Sequence, residues 1–448
     1  MFPSPQSALP LPARPSLERY RKLAKELLNI CKAAQLEASQ PEILRAWAEG
    51  WIDTLIRLSG VVIAQPVDTR EWLDGLEAFA RRILLSAEDS CTLAHAQFVL
   101  ARSHGFASWA KFAAYLRAHE QVHSMQANFE AAVDAIIRGD ASTLRRLLRE
   151  QPELVHARSM REHEATLLHY TAANGVENYR QKTPPNIVEI TEVLLQSGAE
   201  VDATAHAYGA EATTLDLAAT SGHPEHVGVI EALLSKLLEH GAALEPTAGQ
   251  SIVMACLANG RIQAAAFLAG RGARCGFVEA AALGRLDTVR DHFSRGSFSP
   301  NNPSPAQPEI NRAEIDHAEI NQALLYACVY GQAEVASLLI AHGADLTAQT
   351  RDGQTTLHQA VIGCDVAMVR LLLAHNPPLE ATNSYGGTPA GQALWSAAHS
   401  ADPDRYIPIL ETLFEAGASL PERHAAISPR VDAWLAERGS RVESEWRW

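Results

Sequence analysis

Two short phrases return again and again between residues 127 and 425, and they restrict this chain more than any other feature. The first reads Leu194-Leu195-Gln196-Ser197-Gly198-Ala199, and comes back as Leu237-Leu238-Glu239-His240-Gly241-Ala242 and Leu338-Leu339-Ile340-Ala341-His342-Gly343-Ala344. Looser copies are Phe267-Leu268-Ala269-Gly270-Arg271-Gly272-Ala273, Leu372-Leu373-Ala374-His375-Asn376 and Leu413-Phe414-Glu415-Ala416-Gly417-Ala418. The second phrase is Thr166-Leu167-Leu168-His169-Tyr170-Thr171-Ala172-Ala173-Asn174-Gly175, echoed at Thr355-Thr356-Leu357-His358-Gln359-Ala360-Val361 and Thr213-Thr214-Leu215-Asp216-Leu217-Ala218-Ala219. The closing positions Gly198, Gly241, Gly272, Gly343, Asn376 and Gly417 lie 43, 31, 71, 33 and 41 residues apart, the 71 holding two units. Such a period means small units that bury their apolar faces only against their neighbours, so the fold grows along one axis. A single compact core stops growing at about 250–300 residues, and 448 residues exceed that.

Each phrase has a physical reading. The Thr can accept a hydrogen bond from a free amide at a helix start. The slim Leu and Ala residues after it let helices stack closely, and the Gly supplies the left-handed turn that ends a helix. Together the phrases resemble the ankyrin repeat. That resemblance implies an all-α solenoid of helix pairs with β-hairpin fingers, about eight irregular units over 127–425, binding partners along a concave face of first helices and finger tips.

The rest of the chain is not repetitive. Residues 1–15 hold Pro3, Pro5, Pro10, Pro12 and Pro15 and read as a mobile tail. Apolar residues at helical spacing start at Leu17, and further helices are expected at 41–58, 70–86, 90–104 and 108–120, making 16–122 a helical region. Val431, Trp434 and Leu435 mark a capping helix in 426–448. Three stretches are similar to one group of bacterial ankyrin proteins: Leu11-Pro12-Ala13-Arg14-Pro15-Ser16-Leu17-Glu18, the run from Leu93 to Trp109, and Asn174-Gly175-Val176-Glu177-Asn178-Tyr179-Arg180-Gln181-Lys182-Thr183-Pro184-Pro185-Asn186. The likeness implies a bacterial origin and a shared fold, with no particular activity.

A net charge of −14 opposes binding to phosphate backbones and anionic membranes. The basic run Arg138, Arg145, Arg146 and Arg149 reads as a solvated helix face. No run of about 18 apolar residues is present, as a membrane span would require, and no basic start followed by an apolar stretch marks a signal peptide. A cytoplasmic protein is expected. The six cysteines, Cys31, Cys91, Cys256, Cys275, Cys328 and Cys364, match no zinc spacing and read as small buried thiols of a reducing compartment. Residues 297–308 read as a flexible loop, followed by a five-residue echo at Glu309-Ile310-Asn311, Glu314-Ile315-Asp316 and Glu319-Ile320-Asn321.

No residue pattern of catalysis, metal binding or phosphate cradling stands out, so no cofactor, metal or catalytic residue is assigned. His169, His358 and His223 fall on repeat positions and read as structural. The stretch 176–186 is longer than a helix turn needs and is rich in polar groups, which supports either a solvated loop or a ligand pocket. The partner-binding candidates are Tyr170, Asn174, Glu177, Tyr179, Arg180, Lys182, Tyr208, Tyr330, Arg351, Tyr385 and Trp395, since aromatic and Arg anchors carry most interface energy. The principal reading is a scaffold for another protein, without nucleic acid or membrane. The alternative is a small-molecule binder or cryptic enzyme built around 169–186 and 205–223.

Overall fold

The computed structural model describes residues 2–36, 42–60, 66–86, 91–121, 123–245, 249–294 and 312–443. The loop at 297–308 and the first copy of the five-residue echo lie outside them. The chain divides into two compact units, Met1–Leu268 and Ala269–Trp448, and is mostly helical.

The first unit opens with α1 (Leu17–Leu36), α2 (Glu42–Ser59), α3 (Pro66–Leu84), α4 (Leu93–Ser103) and α5 (Trp109–Glu120). They share one core in which Tyr20, Leu27, Trp51, Leu76, Leu100, Phe106 and Phe112 are buried. The start of the chain corrects the expectation of a mobile tail. Leu9 is fully buried in that core, its amide bonds Ser103 O at 2.8 Å and the Ala13 amide bonds Leu58 O at 2.9 Å. Proline-stiffened chain loses less entropy on ordering, and an apolar Ala8-Leu9 pair between the prolines supplies the anchor. The cysteines bring a second correction. Cys31 on α1 and Cys91 before α4 form a disulfide with 5.8 Å between their Cα atoms, so only four of the six remain free thiols.

Beyond residue 124 helices follow in pairs. α6 (Met125–Arg138) packs on α7 (Ala141–Glu150), and a 3₁₀ turn at Leu167–Ala172 packs on α8 (Ile187–Gln196). A hairpin of β1 (Thr204–Ala207) and β2 (Ala210–Thr213) follows, antiparallel with Thr204 opposite Thr213 and Ala207 opposite Ala210. Its two-residue turn, Tyr208-Gly209, has both φ angles positive, as the tightest hairpin turn demands. Next come α9 (Thr214–Thr220), the short α10 (Gly222–His226), α11 (Ile230–Glu239), α12 (Ile252–Ala258) and α13 (Ile262–Gly270). First helices follow one another in space: α6 on the 3₁₀ turn, that turn on α9, and α9 on α12.

The second unit repeats the scheme with α14 (Phe277–Ala282), α15 (Leu286–Ser294), α16 (Arg312–Val329), α17 (Ala333–Ala341), α18 (Thr356–Ile362), α19 (Val366–Leu373), α20 (Pro389–Ala398) and α21 (Ile407–Glu415). α14, α16, α18 and α20 stack in one row, and α15, α17, α19 and α21 in another. Two short parallel strands, β3 (Arg423–His424) and β4 (Arg441–Val442), flank α22 (Pro429–Ala436), which buries Val431 and Leu435.

The phrases do what their chemistry requires. The hydroxyls of Thr213 and Thr355 each accept the amide three residues on, and Thr166, Thr213 and Thr355 all close a capping box with the residue at that place, His169, Asp216 and His358. At the far end, Gly198, Gly241, Gly272, Gly343 and Gly417 all take φ between 86° and 97°. The amides of Ala199, Ala242, Ala344 and Ala418 then reach back to the Leu carbonyl five residues earlier, as Ala344 does to Leu339 O at 3.0 Å. Asn376 fills the same place with φ 54°, Asn being the residue other than Gly that tolerates this region best.

A Cβ added at Gly343 would meet no atom within 4 Å, so its cost is conformational alone. Gly343→Ala should therefore lower unfolding stability by about 1–2 kcal/mol, while Asn376→Gly should cost nothing or stabilise slightly. Urea unfolding followed by circular dichroism measures both.

Candidate functional site

The polar stretch after Gly175 does not stand out in water. It turns inward and completes a cluster of buried charges. Asn178–Arg180 form a single 3₁₀ turn that brings Glu177 and Arg180 up to α6 and to the segment 158–165. Arg180 donates to Glu130 at 2.6 Å and to Glu177 at 3.4 Å, and Arg161 donates to Glu177 at 2.8 Å and to Glu130 at 3.2 Å. Two guanidinium groups thus face two carboxylates, and all four side chains are shielded from water. Gln126 Nε2 and Tyr170 OH add donors to Glu130 and Glu177, at 3.1 and 3.3 Å. The face of Arg161 lies over the rings of Phe106 and Tyr115, at 5.6 and 5.7 Å, an arrangement that favours a cation. Its Nε and Nη2 have no hydrogen-bond partner among the described residues, and the rings stand where acceptors would.

The electrostatics follow from this arrangement. Burial by itself would raise both carboxyl groups, yet the two arginines outweigh it and hold Glu177 well below, and Glu130 below, the usual carboxylate range. Both therefore stay ionised at neutral pH. His163 Nδ1 accepts the Ala165 amide at 3.0 Å, so its ring hydrogen sits on Nε2, 3.7 Å from Glu177. A second buried histidine, His104, is bonded through Nδ1 to Leu9 O at 3.0 Å and through Nε2 to Tyr20 OH at 3.1 Å. A carbonyl can only accept, so Nδ1 carries the hydrogen and Tyr20 donates to Nε2. Burial depresses His104 to about 3 and His169 to about 4.

Anchors from several elements hold the stretch. Gln6 Nε2 donates to Gly175 O at 3.0 Å, and the Asn178 amide returns a bond to Gln6 O at 2.8 Å. Gly175 has φ 73°, and a Cβ there would lie 2.8 Å from Leu217 and 3.0 Å from Ala207, so only glycine fits. The neighbouring Asn174 donates to Leu217 O and Thr220 Oγ1 and accepts from Tyr208 OH at 2.6 Å.

These positions sort the candidates read from the sequence. Tyr170, Glu177 and Arg180, expected to contact a partner, are buried. An insertion this rich in charge stays dry because each charge meets its opposite. Asn174 and Tyr179 are half-buried, Tyr179 packing edge-on against Trp72 at 6.4 Å. Lys182 is exposed, and Tyr208 is 65% exposed at the hairpin turn. In the second unit Arg351 is exposed and Tyr330 half-buried, while Tyr385 and Trp395 are 82% and 46% exposed. Sequence reasoning missed Glu130, Arg161 and His163. Nothing local marks them, since they meet Glu177 and Arg180 only after 14 to 50 residues of intervening chain have folded. His358 does what its repeat position implies, its Nε2 lying 2.9 Å from Gly387 O in the next turn.

Removing one charge should expose how tightly the cluster is balanced. Glu177→Gln is expected to cost about 3–5 kcal/mol, because it leaves a buried guanidinium uncompensated, and Glu177→Gln combined with Arg161→Met should recover part of the loss. A thermal melt of the two variants decides it. The two histidines bind a proton in the unfolded chain below pH 6.5 but not in the folded one, so stability present above that pH is lost as pH falls. At pH 5 each should have removed about 2 kcal/mol, and the carboxylates should add to the loss below about pH 4.5. Urea midpoints from pH 8 to pH 4 test the slope.

The match to a family model bears on the second unit. A family model described as ankyrin repeats (3 copies) matches residues 280–384 and, overlapping them, 324–423. Among curated proteins, the potassium channel AKT1 of Oryza sativa subsp. indica is 36% identical over 72 residues, which is 15% of this chain and 8% of that protein. The potassium channel AKT1 of Oryza sativa subsp. japonica shows the same identity over the same share. The chain thus spans less than a tenth of the length of these curated relatives. Ankyrin repeats therefore occupy residues 280–423, and the helix pairs of the second unit are their physical form.

Proposed function

We propose that the chain is a protein-binding scaffold and that the second unit carries its main contact face. Ankyrin repeats are in general protein-interaction modules, and one observation supports that use here. Val329 on α16, Ile362 on α18 and Trp395 on α20 fall at the same place in three successive first helices. The correspondence follows from their distance to the recurring Ala327, Ala360 and Ala393, all fully buried. Ile362 and Trp395 leave 41% and 46% of their surface in water, and Val329 is partly open. An apolar stripe that crosses neighbouring helices is costly to leave wet and matches the aromatic and aliphatic anchors of binding surfaces. Trp395 is already fixed by stacking on His399, with ring centres 4.2 Å apart, so little side-chain entropy remains to be lost on binding. Tyr385 and Arg351, in the turns before α20 and α18, extend the same reading, with the stripe as part of a concave groove and the turns as finger tips.

In the first unit Tyr208 is the comparable feature, held upright by its bond to Asn174. The polar groups between 169 and 186 are engaged with one another, and their arrangement supports structural support for that hairpin more than a ligand pocket.

The experiment is affinity capture with the full-length chain, identification of the partner, and titration against variants. Ile362→Glu and Trp395→Glu should each weaken the captured partner by about thirtyfold, about 2 kcal/mol, as expected for an anchor. Tyr208→Ala should have a smaller effect. A partner that binds both charge variants as tightly as the parent chain would overturn this assignment.

A further inference from the structure

A groove of about 1220 Å³ opens between α1 and α2, far in sequence from the repeats. Its apolar lining includes Leu23 and Ile30 from α1 and Ile43, Trp47 and Trp51 from α2. One end is closed by Pro12 and Ala13, which the bond from the Ala13 amide to Leu58 O holds in place. Pockets for small molecules run to about 1,000 Å³ and enclose their ligand. This one is larger and open, a shape suited to a length of polypeptide. Trp47 and Trp51 are spaced one helical turn apart, both are more than nine-tenths buried, and neither indole N–H has an acceptor among the described residues. Buried donors usually find a partner, and here two adjacent ones beside the groove do not.

The lining carries three basic side chains, Arg14, Arg19 and Lys22, against two acidic ones, Glu18 and Glu26, in a chain whose net charge is −14. Lys22 is engaged by Glu18 at 2.8 Å. Arg14 and Arg19, which also line the groove, are exposed and have no acidic partner among the described residues. The wall opposite them is low at Gly50, where an added Cβ would meet nothing within 4 Å.

We propose that this groove docks an amphipathic helix of a partner protein, apolar on the face that enters and acidic on the face towards Arg14 and Arg19. Its leucine or aromatic residues, one turn apart, lie along the Trp47–Trp51 floor. Its carboxylates pair with the two arginines at the rim, which sets orientation and speeds encounter more than it adds affinity. The assignment does not depend on the repeat face, because the two surfaces are built from different helices.

The test uses the full-length chain and a fluorescein-labelled synthetic helix with Leu and Phe on one face and Glu on the other. A twin peptide with Lys in place of every Glu and vesicles of phosphatidylcholine with phosphatidylserine serve as comparisons. The acidic peptide should bind at least about tenfold more tightly than the basic twin, and the preference should shrink at high salt. Gly50→Trp, which fills the groove from an open position, should weaken binding about tenfold or more with the circular dichroism spectrum and melting temperature unchanged. Arg14→Glu combined with Arg19→Glu should reverse the preference between the peptides. Ile362→Glu, on the repeat face, should leave it unaltered. The proposal falls if neither peptide binds, if both bind alike, if Gly50→Trp binds as the parent does, or if the vesicles bind through Arg14 and Arg19 while the acidic peptide does not.

Discussion

Four charges shut away from water, Arg161 and Arg180 against Glu130 and Glu177, are what the first unit is arranged around. Its members come from three stretches: Glu130 from α6, Arg161 from the segment before the 3₁₀ turn, and Glu177 and Arg180 from the insertion after it. Ions of this kind are tolerated in a low dielectric only when the geometry satisfies both signs. The cluster therefore fixes where three pieces of chain must lie relative to one another. The aromatic rings of Phe106 and Tyr115 that lie against Arg161 come from the N-terminal helical region, so the cluster also ties that region to the helix pairs that follow it. The Pro-rich start completes the tie through Gln6, which bonds both ends of the insertion's first turn.

The second unit is held by a different and more regular set of forces. Most of its helices are short: α18, α19 and α20 begin at caps of Thr355, Asp365 and Thr388, α17 and α21 are followed by the left-handed Gly343 and Gly417, and helices of these lengths do not persist alone in water. They persist because successive first helices bury Ala, Leu and Val against one another. Such a stack leaves the outward positions of the first helices less enclosed, and there Ile362 and Trp395 are apolar yet 41% and 46% exposed, with Val329 half-buried. The groove at α1 and α2 is of another type again, an opening between two helices of a non-repetitive bundle.

The fold was legible where a residue's job is local. Thr213 and Thr355 cap their helices from within three residues, Gly343 takes its left-handed turn whatever surrounds it, and the helices at 42–59 and 93–103 follow from apolar spacing alone. The candidate site was less legible for the opposite reason. Nothing near Glu130 announces that its partner is Arg180, fifty residues later, and nothing in the 176–186 stretch tells a solvated loop from one whose charges are consumed inside. Its composition is polar in either case. The Leu9 anchor was hidden among prolines, and the Cys31–Cys91 pair among spacings that match no template, since both depend on what the distant chain brings alongside.

By itself the sequence determined the helical class and the paired units with their caps and closing glycines. These follow from short-range stereochemistry and from a period that leaves neighbouring units no partner but each other. The tertiary structure alone decided that Tyr170, Glu177 and Arg180 are interior rather than exposed, that the Pro-rich start is packed, and that a groove lies between α1 and α2. Burial is a property of what arrives from elsewhere in the chain, and a charged side chain goes inside only when its counter-charge arrives with it.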